Sequence, residues 1–137
     1  MRIEEIHVGD VAELAKTVTE SDIALFAGVT GDFNPVHIVA EAAKKSVFGE
    51  RIAHGMLSAG FISAVLGMRL PGSGSIYLSQ TLRFTKPVRI GDTVTARVEV
   101  LEVLTAKRRV RLATSCRNQN GEVVVDGEAV VMVESRA

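Results

Sequence analysis

His54-Gly-Met-Leu-Ser-Ala-Gly-Phe-Ile-Ser-Ala-Val-Leu-Gly-Met-Arg69 carries no charge between its two ends, and no other stretch of this chain reads like it. Leu57, Phe61, Val65 and Met68 fall at helical spacing on one side, with Ile62 and Leu66 on the next, so large apolar groups cover most of the circumference. The spacing predicts a helix buried nearly all round. Gly60, Ser63, Ala64 and Gly67 add an i, i+3, i+4, i+7 row of small residues along which another backbone can come close. A sheet wrapped around the helix satisfies both faces. An uninterrupted apolar run of roughly 14 residues is short of the ~20 that span a bilayer, so this is a core helix and no membrane partner is expected.

Working outward toward the N-terminus, Glu50-Arg-Ile-Ala53 leads into the helix, and Val39 to Phe48 reads as a short helix closed by Gly49. Before it, Asp32-Phe-Asn-Pro-Val-His37 reads as a loop, because Pro35 pushes Asn34 away from helical angles. Thr19-Glu-Ser-Asp22 fits a capping box, which starts a helix of about ten residues that stops at Gly31. Alternation near residues 12 to 18 predicts an opening strand.

On the C-terminal side the period changes from 3.6 to 2 after Pro71-Gly-Ser-Gly74. One strand is expected from Ile76 to Phe84. Val94, Ala96, Val98 and Val100 mark the next, and Val110, Leu112, Thr114 and Cys116 the third. Asn120-Gly121 is a hairpin signal leading into Val123 to Val133, where Asp126-Gly127 is read as a bulge or bend. The fold class is therefore α+β, one antiparallel sheet curled around one long buried helix.

The 137 residues make a single domain spanning 1–137. Sixteen basic and sixteen acidic residues cancel to a net charge of zero, which leaves no footprint for nucleic acid. The single cysteine, Cys116, excludes an internal disulfide, and the acidic N-terminus lacks the apolar stretch of a secretory leader, so a cytoplasmic location is expected. A hydrophobic content of 47% is high for a small monomer, and a subunit interface would absorb the surplus.

Asp32 and His37 sit five positions apart in the proline-containing loop, close enough to aim a carboxylate and an imidazole at one spot. Such a pair can hold a water and pass protons both ways near neutrality. Equally, an Asp after Gly31 can serve as a turn former bonding nearby amides. His54-Gly55 is the second polar focus. Free N–H groups at a helix N-terminus can bind an oxyanion and a glycine admits a ligand, although Gly55 also reads as a packing residue and His54 as a cap. Ser63 reads either as a small packing residue or as a functional one. His7, His37, His54 and Cys116 do not make a zinc pattern and Gly72-Ser-Gly74 lacks a dinucleotide-loop context, so no metal or nucleotide cofactor is expected; the absence of a Gly-x-Ser-x-Gly elbow disfavours a Ser-His-Asp hydrolase.

In order, Phe26-Ala-Gly-Val-Thr-Gly-Asp32-Phe-Asn34-Pro35-Val-His37, then His54-Gly55-Met56, then Gly74-Ser-Ile-Tyr-Leu-Ser-Gln80 make this chain resemble the MaoC-like (R)-specific enoyl-CoA hydratases from about residue 6 to residue 133. The resemblance implies a hot-dog fold, a homodimer with sites near the interface, and reversible syn hydration of a trans-2-enoyl-CoA to an (R)-3-hydroxyacyl-CoA. It implies that Asp32 and His37 activate the water and that the Gly55 amide binds the thioester oxygen. Ser63 would lie near the pair, with Asn34 shaping the loop and His54 supporting it. CoA is part of the substrate, so no separate cofactor is implied, and Lys86 and Arg89 are candidate partners for its phosphates. Monomer supply for polyhydroxyalkanoate synthesis and fatty-acid oxidation are both open as pathways. The rivals are a hot-dog thioesterase, which the carboxylate-free stretch 55 to 68 disfavours, and a non-catalytic acyl-CoA-binding module.

Overall fold

In the computed structural model, which describes residues 1–136, each change of sequence period becomes a change of element. β1 (Val11–Thr17) is followed by the helices α1 (Glu20–Thr30), α2 (Pro35–Ile38), α3 (Ala40–Lys44) and α4 (Gly55–Met68). Then come β2 (Ile76–Gln80), β3 (Arg83–Phe84), β4 (Thr93–Leu104), β5 (Arg109–Arg117) and β6 (Val123–Met132). All pairings are antiparallel, in one six-stranded sheet of order β1-β4-β5-β6-β2, with β3 also paired to β6. Wrapped on α4, this is the hot-dog arrangement.

Every second residue of the central strands faces the helix. Val94, Ala96, Val98 and Val100 of β4 and Val110, Leu112 and Cys116 of β5 are fully buried against Ile62, Val65 and Leu66 of α4. Each large side chain taken from water in this way contributes about 1.5 to 3 kcal/mol. Register shifts at Val100/Glu102, Tyr77/Ser79 and Cys116/Arg117 interrupt the ladders, and such bulges sharpen the bend that lets a sheet curl.

The expected capping box is present. Thr19 Oγ1 accepts from the Asp22 N–H at 3.1 Å and Asp22 Oδ2 from the Thr19 N–H at 2.9 Å. Lys16 Nζ, 2.6 Å from the same carboxylate, holds that carboxyl below its usual range. Gly31, at φ +80°, ends α1 in the left-handed region that a glycine adopts without strain.

Four expectations are corrected. First, α4 is buried on one side of this chain and not all round, because a single sheet covers a single face; Met56, Gly60, Ser63, Gly67 and Met68 are exposed. Second, the helix read over Val39 to Phe48 stops at Lys44. Ser46 Oγ donates to the Ala43 carbonyl at 2.6 Å and accepts from the Phe48 N–H at 3.2 Å, which turns the chain away from helix. Third, Ile76 to Phe84 forms two strands, broken at Thr81 and Leu82. Fourth, Asp126-Gly127 is no bulge, since Ser115↔Asp126 and Thr114↔Gly127 remain paired.

The last two have one cause. The Thr81 carbonyl crosses so close to Gly127 that a Cβ there would lie 1.8 Å from its oxygen. The Thr81 N–H and Oγ1 then pair with Glu128 on either side, so the glycine makes room for the kink of its neighbour. No helix among the described residues is long and apolar enough to cross a membrane.

Gly127→Ala therefore has no space, and the backbone it meets cannot swing aside like a side chain. The expected outcome in urea denaturation is a loss on the order of 3 kcal/mol with an unchanged m-value.

Candidate active site

Two loops and two helix starts converge here. After Gly31, Asp32 Oδ1 accepts from the Asn34 N–H at 3.2 Å and Asn34 Oδ1 from the Val36 N–H at 3.3 Å. Asn34, at φ −50° and ψ 124°, is the N-cap of α2, with Pro35 in the first turn. The hexapeptide expected to be all loop is thus loop only to Asn34. The restriction imposed by Pro35 falls on Asn34 as expected, while proline itself is preorganised for a first helical position, so Pro35 to His37 become helical. The Asn34 side chain, by accepting from the Val36 N–H, caps the turn that leads from loop into α2.

His37 rides this turn into the interior, where it is 9% exposed. Its Nδ1 lies 2.8 Å from the Ile52 carbonyl oxygen, a group that only accepts. That bond puts the proton on Nδ1 and leaves a lone pair on Nε2, the arrangement of a general base. Arg51 fixes the turn from the other side, donating from Nε to the His37 carbonyl at 2.7 Å and from Nη1 to Glu20 at 2.6 Å.

His54 precedes α4, yet its ring makes no capping bond. Instead Nε2 lies 2.9 Å from the Asp32 carbonyl oxygen, and the ring stacks on His37 with centroids 3.9 Å apart at 29°. Phe26 of α1 approaches the same ring at 4.7 Å. One polar atom of Asp32, His37 and His54 each lies within 4.8 Å of the others. Three such groups could in principle ligate a cation. Each ring bonds one nitrogen to a backbone carbonyl and keeps a lone pair on the other, an orientation that serves a hydrogen-bonded water as well as a ligated cation.

Two cavities meet at His37, Gly55 and Met56. One, of about 280 Å³, is lined by Phe26, Thr30, Asp32 and His54. The other, of about 420 Å³, is lined by Phe48, Ser58, Phe84 and Lys86 among others. Between them stands the N-terminus of α4, whose first N–H groups have no intrahelical acceptor and carry the positive end of the helix dipole. Gly55 has a reason beyond ligand access, because the Phe84 ring presses on it and a Cβ would lie 2.6 Å from Phe84 Cδ1.

The chain brings together Asp32, His37, His54 and Gly55, but not Ser63. That serine lies on the outward side of α4 in a separate groove with Gly60, Tyr77 and Leu78. Ser58, buried and lining the larger cavity, is the serine in reach of His37's cleft, and the sequence reading missed it. Its position one turn after His54 was the available signal. Phe48 and Phe84 were missed because one was read as a helix end and the other as a strand face. Lys86 lines the larger cavity and pairs with Glu122, while Arg89 pairs with Glu50 at 2.5 Å. Burial pushes the Cys116 thiol up to about 12, which disqualifies it as a nucleophile.

The family model described as MaoC like domain matches residues 6–124. An (R)-specific enoyl-CoA hydratase of Rhodospirillum rubrum is 57% identical over 133 residues, 97% of this chain and 92% of that protein. The unliganded R-hydratase PhaJ1 from Pseudomonas aeruginosa superposes with a TM-score of 0.93 at 52% identity, covering 98% of this chain and 86% of that one. The (R)-hydratase of A. caviae, described as involved in PHA biosynthesis, gives 0.92 at 43% identity over 95% of this chain and 98% of that one.

Gly55→Ala must displace the Phe84 ring, which is half exposed and free to move. The expected change in unfolding free energy is within about 1 kcal/mol, since helix propensity offsets lost packing, whereas Gly55→Ala in a Phe84→Ala background is more stable than Phe84→Ala alone. Paired denaturation curves measure both.

Proposed function

Because this chain belongs to the MaoC-like domain family, we propose that it is an (R)-specific enoyl-CoA hydratase working through a water held by Asp32 and His37. The observation that carries the reading is the hydrogen bond from His37 Nδ1 to the Ile52 carbonyl, which frees Nε2 as a base in a residue that shares one cavity with Asp32 and the Gly55 helix end. The water gives a proton to the pair as its oxygen bonds to C3 of the enoyl thioester. An imidazolium formed on His37 keeps its Nδ1–H on the Ile52 carbonyl, so no bond is lost as charge appears. Electron density moves to the thioester oxygen, which the Gly55 N–H binds. A proton then returns from the pair to C2 on the same face, so one water supplies both added groups.

Acid–base catalysis of this kind contributes about 10²- to 10⁴-fold, and one oxyanion donor about 3 to 4 kcal/mol. The reaction is that of a hydro-lyase and needs no cofactor, because CoA enters with the substrate. Hydrolysis of the thioester is disfavoured because α4 carries no carboxylate from Gly55 to Met68. We place it in the cytoplasm, and a role supplying (R)-3-hydroxyacyl-CoA for polyhydroxyalkanoate synthesis is supported by the (R)-hydratase of A. caviae, described as involved in PHA biosynthesis.

The working form is a homodimer. Ile76, Tyr77 and Leu78 on the edge strand β2 are exposed, as are Met56, Gly60 and Ser63 on the outward side of α4. A second copy laid on this surface would cover both, and would close the Ser63 groove.

Added crotonyl-CoA is expected to lose its conjugated-thioester absorbance without release of free thiol, and Asp32→Asn to slow this by at least about 10²-fold. An unchanged rate in that variant removes Asp32 from the mechanism. In light scattering the protein is expected at twice the 14.7 kDa chain mass, and Leu78→Lys is expected to shift it toward monomer.

A further inference from the structure

His54 makes two contacts at once, one with its edge and one with its face. Its Nε2 lies against the Asp32 carbonyl oxygen, which only accepts, so the ring's proton sits on Nε2. Its Nδ1 is buried without a hydrogen-bond partner, in a residue 2% exposed. A second proton there would be a buried cationic N–H with no acceptor, an arrangement that carries the full desolvation penalty. The face of the same ring lies on His37.

The charged and titratable groups around it act as follows. Asp32, from the loop after α1, is exposed, and water screens the pull it would exert toward a cationic His54. His37 of α2 and Arg51, which is bonded to the His37 carbonyl and paired with Glu20, oppose such a cation. α4 itself carries no charged side chain, and the Cys116 Sγ of β5 is turned to the Ser58 carbonyl at 3.5 Å.

Resting on the reading of Asp32 and His37 as the water-activating pair, we infer that His54 is a positioning residue. As a neutral imidazole with its proton on Nε2, it clamps the Asp32 backbone with its edge and supports the His37 ring with its face. The carboxylate and the His37 Nε2 lone pair are thereby held at one water. A phenylalanine would fill the same space without leaving a nitrogen unpaired, but could not hold Asp32. A glutamine could hold Asp32 but not stack.

The first test is long-range ¹H–¹⁵N NMR of the histidine-labelled, full-length protein near neutral pH. His54 is expected as the neutral Nε2–H tautomer beside a His37 protonated on Nδ1. A His54 protonated on Nδ1, or on both nitrogens, overturns the inference. This readout does not depend on turnover, whereas the hydratase reading fails separately if the wild-type protein leaves crotonyl-CoA unchanged. The second test is kinetic. His54→Gln and His54→Phe, each retaining half of the arrangement, are expected to lower kcat about tenfold to a hundredfold with KM for crotonyl-CoA held within about threefold. Wild-type kcat in either variant, or a rise in KM alone, overturns it. If neither variant folds, the tautomer decides.

Discussion

The burial of one face of α4 by the concave side of the sheet is the constraint on which the rest of the structure depends. An uncharged helix cannot stand in water, and Ile62, Val65 and Leu66 remove it from water only because alternate residues of β4, β5 and β6 form a continuous apolar surface. Closing that surface requires a bent sheet, and the bend is placed by interrupted ladders and by the passage of Thr81 over Gly127. Once the helix is seated, its N-terminus has a fixed position. The Ala53 N–H bonds the Val88 carbonyl at 2.7 Å immediately before it, tying the helix entry to the segment between β3 and β4.

The chemistry follows from that fixed end. His54 and Gly55 are neighbours on the helix entry, and His37 and Asp32 reach them from a separate segment held by Arg51, Glu20 and the Ile52 carbonyl. The proposed base, carboxylate and oxyanion donor are thus tied to packed elements by these bonds. Preorganisation of this kind lets a small, electrically neutral protein place charge-stabilising groups without a net field. The opposite side of α4 has no such cover within the chain, and it is there that the proposed second copy would lie.

Much of this was legible in the residues. Thr19 and Asp22 announced a capping box, the alternation from Val94 to Cys116 announced two strands, and the Asp32 to His37 spacing announced that these two side chains come near one another. The failures share a physical origin, namely contacts between segments distant in sequence. Nothing near Asp126 tells that Gly127 must admit the Thr81 carbonyl, nor does anything near Pro35 tell that His37 will bond Ile52. The one-sided burial of α4 was hidden for a related reason. A helix apolar on every side states that it must be covered, but not whether one chain or two will do it. Ser63 and Ser58 differ in composition not at all, and only the direction each takes from the helix axis separates the outward groove from the cleft.

The central claim is that a single water, held on one face by Asp32 and His37, adds to an enoyl thioester polarised at the N-terminus of α4. The most direct measurement is the stereochemistry of crotonyl-CoA hydration in D₂O. The account predicts a 3-hydroxybutyryl-CoA that is wholly (R) at C3, with deuterium at C2 on the same face as the new hydroxyl. A product that is (S) at C3, or that carries deuterium on both faces of C2, would contradict it.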